Sequence, residues 1–96
     1  QDIVSALEHA RKSVVIEDQD PFCHYALGRA EAFSFHHDKA ELELKRAIAL
    51  NPSYAHAYHG LAHLYMMTPG GEAEVSLGLM DEAIRLSPRD PLLWVF

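Results

Sequence analysis

Seven of the 96 residues are histidine, and three of them fall at helical spacing. His56, His59 and His63 are three and four residues apart. On a helix they would lie within roughly 60° of one another, on one face. Imidazoles one turn apart can share a metal ion. The same spacing also describes a polar groove surface in a His-rich chain. No Cys, Asp or Glu accompanies the three between residues 54 and 67, and no Glu stands between them as a general base. His36-His37 falls at a predicted turn, and His9 and His24 are isolated. Cys23 stands where Ala57 stands 34 residues later, so it reads as a small packing residue. A catalytic thiol needs a paired base, and the sequence names none.

Other catalytic signatures are missing from the sequence. Pro69-Gly70-Gly71 is not followed by the Lys-Ser or Lys-Thr of a phosphate loop, and neither G-x-S-x-G nor C-x-x-C occurs. Glu41 with Glu43, and Glu72 with Glu74, fall near predicted helix starts. There they would complement the helix dipole rather than work as acid and base. The expectation is a chain with no catalysis and no cofactor of its own.

Composition narrows the partner. Hydrophobic residues are 49% and charged residues 23%, which suits a folded chain rather than a disordered one. Lys and Arg number 8 against 14 Asp and Glu, for a net charge of −6. That disfavours a nucleic-acid backbone or an anionic membrane as main partner. No apolar run approaches the roughly 18 residues of a membrane span. The single cysteine excludes an internal disulfide and agrees with a cytoplasmic setting.

The elements that would position these side chains repeat. A shift of 34 places Ala6 on Ala40, Val14 on Ile48, Ile16 on Leu50, Leu27 on Leu61 and Gly28 on Ala62. A shift of 36 then places Leu44 on Met80, Ala47 on Ala83, Ile48 on Ile84, Leu50 on Leu86, Pro52 on Pro88 and Tyr58 on Trp94. Within each unit the apolar period is helical. Pro52 and Pro88 stop helices near Leu50 and Leu86. Thr68-Pro69-Gly70-Gly71 is a strong breaker. The pattern predicts helices over 3–17, 21–34, 38–50, 54–67, 72–86 and 91–96, with no strand.

These residues resemble the tetratricopeptide (TPR) repeat family. The matches are Leu27-Gly28, Ala40, Leu44, Ala47, Leu50 and Pro52, then Tyr58, Leu61-Ala62, Tyr65, Ala83, Leu86 and Pro88. Departures are Glu31 at a usually aromatic position, Ser76 at a usual Ala, Asp18 at the Pro of the first junction, and two extra residues at the Pro-Gly-Gly turn. The resemblance implies an all-α, TPR-like right-handed solenoid of antiparallel helix pairs, open at both ends. Its parts would be a partial repeat 1–20, repeats 21–54 and 55–90, and a partial repeat 91–96, as in a fragment of a longer protein. Residues 86–94 are similar to TPR regions of bacterial multidomain regulators, in which the repeats follow a class III nucleotidyl cyclase or winged-helix domain.

The family's concave groove would here be lined by Phe22, Tyr25, Arg29 and Phe33, then His56, His59, His63 and Met66. Such a surface, aromatic and weakly basic, would take a peptide, a partner protein or another domain of the parent chain. A carboxylate clamp needs Lys and Asn on these helices, whereas Tyr25, Arg29 and Gly60 stand at the relevant places. Leu92, Leu93, Trp94, Val95 and Phe96 form an apolar end that a second copy would cover, giving a homo-oligomer through open repeat ends.

Overall fold

Five helices follow one another: α1 (Ile3–Ile16), α2 (Pro21–Phe33), α3 (His37–Leu50), α4 (Ala55–Met67) and α5 (Ala73–Leu86). The computed structural model describes residues 3–16, 19–68 and 70–90, with the backbone alone for 13–16. No strand occurs among the described residues. Each described helix begins and ends within one residue of the range expected from the apolar period. The expected helix over 91–96 lies outside the described residues.

Local chemistry sets these limits. The Asp20 carboxylate caps α2 by accepting from the Phe22 N–H at 2.9 Å, and Pro21 opens the helix. At the other end, Phe35 takes a left-handed φ of 62°. The Phe35 and His36 N–H groups then donate back to the Ala32 and Glu31 carbonyls, at 3.1 and 2.9 Å. This is the Schellman ending, with Phe where Gly is usual. Helices α3 and α5 stop one residue before Asn51-Pro52 and Ser87-Pro88. Thr68 closes α4 through its hydroxyl, which donates to the Leu64 carbonyl at 2.7 Å.

Packing follows the repeat. Helix α2 packs most heavily on α3 and α4 on α5, while α1 lies on α2 and α3 on α4. Leu44 is fully buried at the centre. A Cβ on Gly28 would lie 2.7 Å from Leu44 Cγ, and one on Gly60 would lie 3.2 Å from Leu44 Cδ2. Leu44 therefore fills the space that two glycines leave on α2 and α4. Ala40, Ala47, Ala57, Ala62 and Ala83 are likewise fully buried where helices approach closely. Burying one leucine this way contributes about 1.5–3 kcal/mol.

Two polar links join successive pairs at matching places. Arg11 on α1 donates to Glu31 on α2 at 3.0 Å. One repeat later the Tyr65 hydroxyl on α4 donates to Glu41 on α3, with Lys45 3.5 Å from the same carboxylate oxygen. Arg11 corresponds to Lys45, and Glu31 to Tyr65, under the 34-residue shift. The expected dipole role of Glu41 and Glu43 is thereby corrected. Both lie beyond the first turn of α3, and both are engaged by side chains of neighbouring helices. The outcome is an all-α, TPR-like solenoid.

Candidate protein-interaction groove

All eight groove residues expected from the repeat lie on α2 and α4. The structure joins five of them through ring and guanidinium contacts. Phe22 and Tyr25 have ring centroids 6.4 Å apart, and Tyr25 lies 6.4 Å from His56 across the α2–α4 contact. Tyr54, which the sequence reading did not single out, bridges them, 5.3 Å from Tyr25 and stacked on His56 at 6.5 Å. Burial of Tyr54, with Tyr25 and Asp20 nearby, pushes its phenol up to about 12.

Arg29 sits at the middle of the α2 part. Its guanidinium carbon lies 5.9 Å from the Tyr25 ring centroid and 5.4 Å from that of Phe33. It donates to the Tyr25 hydroxyl at 3.1 Å. Among the described residues no carboxylate forms an ion pair with it. A cation held on two rings keeps its charge and most of its donors for an incoming group.

A shallow groove of about 420 Å³ runs beside it between α1 and α2. Ala6, His9 and Ala10 form one wall, and Phe22, Ala26, Arg29 and Phe33 the other. None of its described lining residues is acidic, although the chain carries a net charge of −6. Phe22 is 60% exposed and Phe33 48%, so large aromatic area faces this space.

The histidine face behaves differently. His56 Nε2 donates to Asp90 Oδ2 at 2.6 Å, which ties the start of α4 to the turn after α5. His59 and His63 are half-buried, and both are engaged in the structure. Among the described residues no three His, Cys, Asp or Glu side chains converge in a way that could hold a metal ion. The helical spacing does place the three histidines on one element, but not as a ligand set. Met66 is exposed near the end of α4. Leu92, Leu93, Trp94 and Phe96 lie outside the described residues.

Two polar residues named in the sequence are buried with partners that the sequence reading did not assign. His24 is 1% exposed, and its Nδ1 donates to Glu43 Oε1 at 2.6 Å. Glu31 is 2% exposed and accepts from Arg11. A signal existed for each, because the 34-residue shift places them on Tyr58 and Tyr65, both aromatic. A polar residue at an aromatic core position calls for a buried partner. Cys23 is buried, in line with a packing role.

No protein-family profile matches the chain, and no curated protein matches it. Solved structures do match. The chain is similar to the crystal structure of MamA, a TPR-like protein, with a TM-score of 0.78 and 31% identity over 90% of its own length. It spans about half, 49%, of that protein. No described helix is long and apolar enough to cross a membrane. Helix order, small-residue contacts and this likeness together give the chain the TPR-like helical-repeat fold.

Proposed function

We propose that this chain is a non-catalytic protein-interaction module that binds a peptide or partner domain on the face formed by α2 and α4. The observation that carries this reading is Arg29. It is a cation held over two rings, without an ion pair among the described residues, beside an apolar groove whose described lining includes no acidic residue. Phe22, Tyr25, Arg29 and Phe33 form the contact surface in this reading, and His56, His59, His63 and Met66 extend it along α4. The TPR-like fold supports a protein partner in general, since extended segments and helices dock on preformed helical grooves. The similarity of residues 86–94 to repeats of bacterial regulators supports a regulatory role for the module in the cytoplasm, beside a cyclase or DNA-binding domain.

A random-peptide display library selected on the immobilised chain tests the reading. Enriched peptides should lose most of their binding to Arg29→Glu and Phe33→Ser while keeping it to Leu42→Ser on α3. Failure to enrich any peptide, or equal loss with Leu42→Ser, would contradict it.

A further inference from the structure

The starts of α2 and α4 carry a chemistry that the Arg29 end of the face does not. Successive shifts of 34 and 36 residues place Asp20, Tyr54 and Asp90 at one register position. The repeat therefore sets a tyrosine between two aspartates along one edge of the molecule. Contacts join the three. The Tyr54 phenol is pushed up to about 12 by burial first, then by Tyr25 and Asp20 beside it. Tyr54 stacks on His56, with centroids 6.5 Å and planes 14° apart. His56 Nε2 in turn donates to Asp90 Oδ2 at 2.6 Å. Tyr25 closes the group from α2, 5.3 Å from Tyr54 and 6.4 Å from both His56 and Phe22.

This end of the face is rich in negative potential and short of positive charge. Asp20 accepts from the Phe22 N–H through Oδ1, and no Lys or Arg pairs with it among the described residues. Helix α4 contains no Lys or Arg at all. Arg29 lies further along α2, between Tyr25 and Phe33. The group is also reachable: Phe22 is 60% exposed, and the His56 and Asp90 side chains are 35% and 23% exposed. Aromatic faces present the negative part of their quadrupole, and carboxylates beside them deepen that field. An anionic side chain would be repelled here, and an apolar one would leave the carboxylates uncompensated. A cation gains from rings and carboxylates together. Arg29 shows this chemistry one turn along α2, where its guanidinium rests 5.9 Å from the Tyr25 centroid. We infer that the starts of α2 and α4 form a seat for one cationic side chain, Lys or Arg, of a partner segment, with its carbon stem against Phe22, Tyr25 and Tyr54 and its charge toward Asp20 and Asp90.

This rests on the interaction-module reading and gives the face a direction. The partner segment presents Lys or Arg at the helix starts and turns its other end toward Arg29.

Four capped tripeptides test the proposal, Ala-Xaa-Ala with Lys, Arg, norleucine or Glu at the centre. Each is titrated into the chain while the ring and amide NMR signals of Tyr25, Tyr54 and His56 are followed. The Lys and Arg peptides should shift those signals, with a Kd at least about tenfold lower than the norleucine and Glu peptides. Asp20→Asn combined with Asp90→Asn keeps acceptors for the Phe22 N–H and for His56 while removing both charges. That variant should weaken the Lys peptide at least about fivefold, as should Tyr54→Leu. Circular dichroism identifies any variant that fails to fold, and the comparison of the four peptides on the unaltered chain stands without variants. Equal binding of the norleucine peptide, absence of binding, shifts centred on other residues, or indifference to the paired Asn substitutions would overturn the proposal. If library peptides bind through Arg29 and Phe33 while the Lys and Arg peptides do not bind, this inference falls and the module reading stands.

Discussion

Glu31 is the residue whose chemistry departs furthest from its place. A carboxylate at 2% exposure is tolerated because Arg11 reaches it from α1 and His36 Nδ1 lies 3.5 Å away. Removing a partner leaves a buried charge, whereas replacing the carboxylate by an aromatic removes the need for one. Arg11→Met should cost about 1–3 kcal/mol by urea unfolding, while Arg11→Met with Glu31→Tyr should recover most of that loss. Equal destabilisation of the single and double variants would show that the pair is incidental. Tyr54 supplies a pH test. Its phenol is held protonated by burial, to about 12 against an ordinary value of 10.0. The folded state then binds a proton that the unfolded state releases. Its contribution is complete below about pH 10 and is lost as pH rises toward 12. Melting temperature should fall across that window, and Tyr54→Phe should make the fall shallower. That the eight residues proposed for the groove share α2 and α4 was legible, because the repeat register assigns them there. The partners of Glu31 and His24 were not, because Arg11 and Glu43 stand about one helix and a turn away in sequence and meet them only after packing.

Helix limits were legible for local reasons: Asp20-Pro21 opens α2, and Pro52 and Pro88 follow the ends of α3 and α5. The left-handed Phe35 was not, since nothing in its neighbours calls for Phe in place of Gly. It is 76% exposed, so little burial is lost by replacing it. Phe35→Gly should stabilise the chain by about 1 kcal/mol, relieving the side-chain clash of that conformation. A loss of stability would show that the phenylalanine ring packs usefully against His37, whose ring lies 6.3 Å away. Two other glycines should behave oppositely. On Gly28 a methyl would meet Leu44 at 2.7 Å, so Gly28→Ala should cost about 1–3 kcal/mol through overpacking. Around Gly78, exposed on α5, no atom lies within 4 Å of an added Cβ. Gly78→Ala should therefore gain about 0.5–1 kcal/mol of helix propensity. Calorimetric melting of the two variants reads both signs, and matching signs would refute the assigned packing.

At the scale of the molecule, Leu44 is the point where α2, α3 and α4 meet, and the groove at Arg29 lies on the other side of α2, against α1. The solenoid was legible because two junctions repeat in register. The uneven use of its face was not. Phe22, Arg29 and Phe33 border an apolar groove, while His56 is drawn off by Asp90 from the turn after α5. That division depends on a contact 34 residues apart in sequence. The account places recognition on α2 and α4, away from the exposed Leu42 of α3 and Leu77 of α5. Amide hydrogen exchange of the chain saturated with a library-selected peptide tests this most directly. The account predicts slowed exchange in α2 and α4, centred on Ala26 to Phe33. Protection centred on Leu42 and Leu77, with α2 unchanged, would contradict it.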